Sequence, residues 1–383
     1  MKKKTIGILG STGSIGCQTL SLLKDNKNYQ IIFLSCNRNI KKLFDQVKIF
    51  KPKHIYIIDK KSYNKFKAKN KFRNLKIYND LYKLKRSIKN KLDYTVSAFS
   101  GNQGFDSTFE VSEISRNLLI ANKEAIILGN NILKKKLKKN KCNLIPIDSE
   151  HYSIFKFIKD NKIIIKNIHK IFITASGGPF YNKKINFKNV TIKNALRHPN
   201  WKMGKKISID SATLANKILE YFEAIILFSF KPDNIIIRIQ PSSKIHSIVL
   251  MKSGFYYLIA HNNDMKIPIS SALNLNSIFK NSDKIVFEKQ KLSFYKPNSK
   301  QFKLIRIAKK VANLGHSAMI MFSVINERLV YKFLQKEITF DKISSILLHL
   351  FSNKKFISLC KTYIRSKKDI YNIVKIAEQY RLD

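Results

Sequence analysis

Short apolar runs alternate with amphipathic stretches through the first half of the chain. Thr5–Leu9, Gln30–Ser35, His54–Ile58, Tyr94–Ala98 and Leu118–Ala121 are rich in β-branched and large apolar residues and read as strands. The stretches between them carry helical spacing. That alternation predicts a parallel sheet with helices on its faces. A further strand, Asn143–Ile147, runs into a polar cluster at Asp148. From there to about Ala272 come most of the unusual residue combinations. Asn274–Lys303 is largely polar, with turn signals at Asn281-Ser282-Asp283 and Pro297-Asn298-Ser299, and reads as a linker. Leu304 to Asp383 has helical periodicity, no Pro and almost no Gly, so a small helical domain is expected there.

The expected segments are therefore 1–147, 148–273, 274–303 and 304–383. A chain of 383 residues, 44% hydrophobic and 26% charged, can fill such cores and is not disordered as a whole. Its charge is extreme: 73 basic residues against 25 acidic ones give +48. Of the basic residues 63 are Lys and ten are Arg, dispersed along the whole chain. Nucleic-acid binders cluster their cations and favour Arg for bidentate phosphate contacts. Dispersed Lys beside abundant Ile and Asn fits an AT-rich genome better, so no specific nucleic-acid partner is expected. Cys17, Cys36, Cys142 and Cys360 form neither a CxxC pair nor a disulfide framework. No apolar run approaches the roughly 18 residues of a membrane span. The first strand starts within a few residues of Met1, so no leader is expected. The expectation is a cytoplasmic, bacterial protein with no membrane partner.

Directly after the first strand comes Gly10-Ser11-Thr12-Gly13-Ser14-Ile15-Gly16, followed by a helical pattern from Cys17 to Leu23. Glycines there permit a tight turn and close backbone approach, while helix N–H groups face a pyrophosphate. The unit is a Rossmann-like dinucleotide fingerprint. An NAD site should place Asp or Glu after the second strand, about 20 residues on. The sequence instead reads Cys36-Asn37-Arg38-Asn39. Arg38 can pair with a 2′-phosphate, which favours NADPH; the weaker alternative is one more solvated cation in a basic protein.

In so acid-poor a chain, clustered carboxylates stand out. Asp148-Ser149-Glu150 follows a strand end, and two residues apart in an extended segment point to one side. Both carboxylates could then share one hard cation, Mg²⁺ or Mn²⁺. Ser211-Ala212-Thr213-Leu214-Ala215-Asn216-Lys217-Ile218-Leu219-Glu220 reads as a helix start, with Asn216 and Glu220 on one face. Taken singly, Asp148–Glu150 also suits a capping turn and Glu220 a surface position. No HxxxH spacing suggests zinc. Thr174-Ala175-Ser176-Gly177-Gly178-Pro179 is a small-residue turn able to hold phosphate. Arg197-His198-Pro199-Asn200-Trp201-Lys202-Met203-Gly204 carries the single Trp in a polar loop, which suits a lid.

Together these pieces resemble one family, 1-deoxy-D-xylulose 5-phosphate reductoisomerase. The residues that carry the resemblance are Gly10–Gly16, Ala121-Asn122-Lys123-Glu124, Asp148-Ser149-Glu150-His151, Ser176-Gly177-Gly178-Pro179-Phe180, Arg197–Gly204 and Asp210 through Glu220. Weaker matches are Ile245-His246-Ser247, Asp264-Met265, Pro268-Ile269 and Val324-Ile325-Asn326-Glu327. The resemblance implies a homodimeric α/β enzyme: an N-terminal Rossmann-like NADPH domain, a central α/β catalytic domain with a flexible flap, and a C-terminal α-helical domain. It implies that Asp148, Glu150 and Glu220 hold the divalent metal, Mg²⁺ or Mn²⁺, with Co²⁺ a further candidate. Ser176, Ser211, Asn216 and Lys217 would bind the phosphate of a small sugar substrate, and Lys123, Ser149 and His198 the rest of it. Trp201 and Met203 would belong to the flap. Thr12, Gly13, Ser14, Ile15, Arg38, Asn39, Asn122, Glu124 and Gly204 fall on cofactor positions. The implied chemistry is a retro-aldol/aldol rearrangement of 1-deoxy-D-xylulose 5-phosphate, with metal stabilising charge, then NADPH reduction to 2-C-methyl-D-erythritol 4-phosphate in non-mevalonate isoprenoid synthesis.

The sequence departs from the family at three places. Asn37 stands where a Gly is usual, Gln240-Pro241-Ser242-Ser243 replaces His-Pro-Gln-Ser, and His316-Ser317 replaces Tyr-Pro. None falls on an implied metal or phosphate position. Two rival classes stay in view. An NADP-dependent semialdehyde dehydrogenase also opens with a glycine turn but needs an activated Cys; Cys142 has no evident His partner. A basic nucleic-acid-binding protein would need a reading element, and no such motif is present.

Overall fold

The computed structural model describes residues 2–201, 203–275, 285 and 292–382. These residues divide into two compact units. The first takes in Met1–Ala125, Leu133–Asp148 and a return that begins at Met265. Its core is a seven-stranded sheet: β1 (Lys4–Leu9), β2 (Tyr29–Cys36), β3 (His54–Ile57), β4 (Lys76–Tyr78), β5 (Leu92–Ser97), β6 (Ser115–Ile120) and β7 (Asn143–Pro146). All pairings are parallel, in the order β4-β3-β2-β1-β5-β6-β7. Ile6, Ile8, Phe33, Leu34, Val96, Leu118 and Leu119 are fully buried, as expected of parallel strands covered on both faces. The sequence reading missed β4, a three-residue edge strand with little apolar signal. The order reverses between β1 and β5, which makes a crevice at their carboxyl ends. The Gly10–Gly16 turn leaves β1 at that point and leads into helix Ser14–Leu23.

The second unit holds Ile126–Ile132, Ser149–Asp264 and the C-terminal part of the chain. Its sheet comprises β8 (Ile168–Ala175), β9 (Ile235–Ile239), β10 (Ile245–Met251) and β11 (Tyr256–Ala260), ordered β11-β10-β8-β9. β10 runs antiparallel to β8 and β11, while β8 and β9 are parallel. The expected C-terminal helices are present at Ile305–Leu314, His316–Leu334, Phe340–Leu350, Lys354–Leu359 and Lys367–Gln379. Phe222 and Phe322 meet edge-on at 5.5 Å, tying helix Ala215–Phe228 to helix His316–Leu334. Asn326 Nδ2 donates to Asp210 Oδ1 at 2.7 Å, and Lys206 Nζ lies 2.8 Å from Asp210 Oδ2. The C-terminal helices thus buttress helix Lys205–Thr213 by a buried polar lock as well as by aromatic packing.

Half of the linker expected at 274–303 lies outside the described residues, including Asn281-Ser282-Asp283. The Pro297-Asn298-Ser299 signal is a turn: the Asn298 side chain accepts from the Lys300 and Gln301 amides at 2.9 and 3.4 Å.

Candidate functional site

The glycine turn is built from backbone. Gly10 has φ +73°, and a Cβ there would stand 2.8 Å from the Ala98 carbonyl oxygen. A Cβ on Gly16 would meet the Gly10 oxygen at 2.4 Å, so the helix can start this close to the turn only without a side chain. Neighbouring polar side chains serve the protein itself. Ser35 Oγ accepts from Gly10 N at 2.9 Å, and Ser11 Oγ donates to Gln46 Oε1 at 2.7 Å. Gly13, the N-cap of helix Ser14–Leu23, provides no side-chain cap. Thr12 and Ile15 are half-buried, while Gly13 and Ser14 are exposed. Those helix-start N–H groups suit an anion.

Arg38 reaches outward, its side chain 81% exposed, with Nε 3.9 Å from Asp59 Oδ2. Asp59 is spoken for: it caps helix Lys60–Lys69, accepting from Ser62 N at 2.8 Å. Those hydrogen bonds hold its carboxyl below the usual carboxylate range. Asn39 caps helix Ile40–Phe50 through Lys42 N. Asn122 caps helix Lys123–Lys139 and also donates to the carbonyls of Phe99 and Gly101. Glu124 lies buried in that helix's first turn.

Three carboxylates meet where the chain leaves β7. The helix begins at Ser149, so Asp148 and Glu150 do not share one side of an extended segment as the sequence reading had it; Glu150 sits in the first turn of helix Ser149–Asp160. One oxygen from each of Asp148, Glu150 and Glu220 lies within 4.8 Å of the others. Around an octahedral Mg²⁺ with bonds of ~2.1 Å, neighbouring oxygens stand about 3.0 Å apart and opposite ones about 4.2 Å, so the three carboxylates would draw in on such an ion. Counter-charge is already provided: Lys123 Nζ lies 2.5 Å from Asp148 Oδ2, and Lys217 Nζ contacts Glu150 at 3.0 Å and also Glu220. Both ammonium groups are nearly buried. Charges so desolvated are tolerated only when paired. Ser149 Oγ donates to Glu150 Oε2 at 2.6 Å, and Asn216 Nδ2 to Glu220 Oε1 at 2.5 Å.

His151 secures the frame. Its Nδ1 lies 3.2 Å from Glu223 Oε2 and its Nε2 2.9 Å from the Glu220 carbonyl, all deeply buried. One imidazole thereby pins the helix bearing Glu150 to the helix bearing Glu220. The expected single helix start at 211–220 is in fact a break: helix Lys205–Thr213 ends and helix Ala215–Phe228 begins at Leu214, whose φ is +60°. Leu214 is 2% exposed and packs with Ala175, Ile239 and Phe302. Burial of that side chain offsets a backbone cost of about 1–3 kcal/mol. No turn residue marks the break in the sequence.

Ser176 follows β8 in a turn where Gly177 and Gly178 have φ +85° and +66°. A Cβ on Gly178 would stand 2.8 Å from the Ser211 carbonyl oxygen, so the glycine brings the Ser176 turn against Ser211. Ser176 Oγ lies 3.0 Å from His198 Nε2. His198 Nδ1 accepts from the amides of Asn200 and Trp201 at 3.1 and 3.0 Å. That fixes the Nε2–H tautomer, and burial pushes the imidazole down to about 4. Trp201 and Met203 are half-buried, and Gly204 is the N-cap of helix Lys205–Thr213. Asn200 and His246, beside Trp201, and His261, stacked on His246, were not singled out as site residues from sequence; the weak Ile245-His246-Ser247 match was the nearest signal.

A doubly wound sheet with a glycine turn at its switch point, and a lysine-balanced carboxylate cluster, define a nucleotide-dependent enzyme able to use a hard divalent cation. Models of known families agree. Residues 6–130 match 1-deoxy-D-xylulose 5-phosphate reductoisomerase, residues 144–228 its C-terminal domain, and residues 261–382 a further DXP reductoisomerase C-terminal domain. The 1-deoxy-D-xylulose 5-phosphate reductoisomerase of Pelagibacter ubique is 38% identical over 97% of this chain and 96% of its own. That of Buchnera aphidicola is 37% identical over 97% of this chain and all of its own. A crystal structure of DOX-P reductoisomerase with NADPH, fosmidomycin and magnesium superposes with a TM-score of 0.83 at 30% identity, covering 98% of this chain and 99% of that one. The Zymomonas mobilis enzyme with NADPH gives 0.84 at 30% identity, covering 98% and 97%. This chain belongs to the 1-deoxy-D-xylulose 5-phosphate reductoisomerase family.

Proposed function

We infer that the chain converts 1-deoxy-D-xylulose 5-phosphate to 2-C-methyl-D-erythritol 4-phosphate with NADPH and a divalent metal. The observation that carries this reading is the convergence of Asp148, Glu150 and Glu220 within 4.8 Å. When bound, the cation supplies positive charge at the substrate oxygens during carbon–carbon rearrangement, and NADPH supplies the hydride that reduces the resulting aldehyde. Asp148, Glu150 and Glu220 would hold the metal. Ser176, Ser211, Asn216 and Lys217 would take the phosphate, which positions the substrate without entering the chemistry. Lys123, Ser149 and His198 would orient the remaining oxygens, with the His198 Nε2–H as a donor. Trp201 and Met203 would cover the substrate and exclude water. Thr12, Gly13, Ser14 and Ile15 would present backbone to the pyrophosphate, with Arg38 and Asn39 toward the 2′-phosphate, and Asn122, Glu124 and Gly204 further along the cofactor.

In this reading residues 1–147 carry the cofactor and 148–273 the metal and substrate. Residues 274–303 join them to a helical segment, 304–383. A homodimer is supported by the edge strand β11: Phe255 just before it and Tyr256, Tyr257 and Leu258 on it are 43–67% exposed. Such an apolar edge invites a second copy. The four cysteines are free, which suits the cytoplasm. Among the described residues no helix is long and apolar enough to cross a membrane. Nucleic-acid binding, if measured, should be weak and collapse with salt.

The semialdehyde dehydrogenase alternative finds no support, because burial pushes the Cys142 thiol up to about 11, the opposite of an activated nucleophile. The deciding experiment is NADPH oxidation on addition of 1-deoxy-D-xylulose 5-phosphate with Mg²⁺ or Mn²⁺. Absence of turnover with either metal would refute the reading.

A further inference from the structure

β10 and β11 are out of step at one residue. Ile245 pairs with Ala260 and Ser247 with Ile259, which leaves His246 as an extra residue in β10. A bulge of this kind re-aims the side chain it carries. The His246 ring is buried against that of His261, with centroids 3.6 Å apart and planes 15° from parallel. Each ring is tied down separately: His246 Nε2 donates to the His261 carbonyl at 3.1 Å, and His261 Nδ1 to the Asn262 carbonyl at 2.8 Å. Trp201 presents to His246 at 6.3 Å and 70°, an edge-on contact. Beside it, Asn200 Nδ2 donates to Pro241 O at 2.8 Å and Ser243 Oγ at 3.0 Å. The loop holding Trp201 therefore rests on the β9–β10 connection and on the histidine pair.

We propose that His261 is a positioning residue for the substrate step: its ring sets the His246 ring, which in turn holds the Trp201 indole in place before substrate arrives. The proposal rests on the reading of Trp201 as a residue that covers the substrate. Its physical content is preorganisation, since a loop already docked loses less conformational freedom on binding. Burial holds the His261 imidazole below its ordinary pKa, against the pull of the Asn262 carbonyl, the Glu150 carboxylate, the Ser149 carbonyl and the Asp264 carboxylate.

The single tryptophan makes the test direct. In His261→Ala, Trp201 emission of the ligand-free protein should shift to the red. KM for 1-deoxy-D-xylulose 5-phosphate should rise by about tenfold, the scale of one immobilised side chain, with kcat changed far less. His261→Phe keeps a ring for the stack and should restore both emission and KM, which also controls for any loss of melting temperature in the alanine variant. Wild-type emission and KM in His261→Ala overturn the proposal. So does a phenylalanine variant that melts like wild type yet behaves like the alanine one. Trp201→Ala, measured alongside, separates the two readings. A raised KM there, with wild-type behaviour in His261→Ala, overturns the proposal alone; a wild-type KM there overturns the covering role of Trp201 and the proposal with it.

Discussion

The glycine turn after β1 and the carboxylate cluster after β7 solve opposite problems. At the turn, Ser11, Ser35 and Gln46 bond among themselves or to nearby backbone, and what faces outward is main chain. At the cluster, side chains do the work: Asp148 and Glu150, from one segment, meet Glu220 from a distant one, with Lys123 and Lys217 beside them. A backbone site is damaged by adding atoms, whereas a charge site is damaged by removing them. The two regions should therefore fail differently.

The largest effect is expected at the cluster. Glu220→Gln keeps size and helix propensity but removes a charge that a divalent ion needs, so turnover should fall by at least ~10²-fold, the scale seen for one lost electrostatic group. NADPH binding and the melting temperature should hold. Fosmidomycin should bind wild type by calorimetry with Mg²⁺ and not with chelator. Normal turnover in the variant would mean the carboxylates are structural.

Gly16→Ala attacks the other site by addition. The new methyl would stand 2.4 Å from the Gly10 oxygen, so the turn must shift. The expected cost is about 1–3 kcal/mol in stability with at least tenfold weaker NADPH binding. Fluorescence titration and thermal melting check both. Unchanged cofactor affinity would remove the turn from the cofactor site.

Arg38→Asp should be gentler. Its side chain is 81% exposed, so stability should move by no more than ~0.5 kcal/mol. The NADPH-over-NADH ratio should fall about tenfold or invert, because a carboxylate repels a 2′-phosphate and can accept a ribose hydroxyl. A constant ratio would make Arg38 a surface cation.

The smallest effect concerns pH. His198 is held near 4, against 6.5 in the unfolded chain, so the unfolded state binds more protons between those values. Its contribution to stability is complete above about 6.5 and is lost as pH falls toward 4. His198→Gln should flatten that part of the pH–stability curve by on the order of 1 kcal/mol. Parallel curves for the two proteins would contradict the buried neutral imidazole.

Six of the seven strands of the first sheet were legible, because buried parallel strands are continuous apolar runs with local turn signals. The glycine turn was legible for the same reason: all its parts lie within seven residues, and a glycine requirement is a property of local backbone. The carboxylates were visible as an oddity in an acid-poor chain, and the resemblance grouped them. Their true geometry was not visible, since the helix start at Ser149 and the break at Leu214 depend on packing. Leu214 accepts φ +60° only because Ala175, Ile239 and Phe302 enclose its side chain. The His246–His261 stack likewise depends on a one-residue slip between β10 and β11, a pairing register that no local pattern encodes. Sequence alone determined what is short-range: strand, turn and the kind of ligand each can serve. Tertiary structure decided which buried charges share one space and which ring steadies Trp201, because those energies arise only when distant segments exclude water from each other.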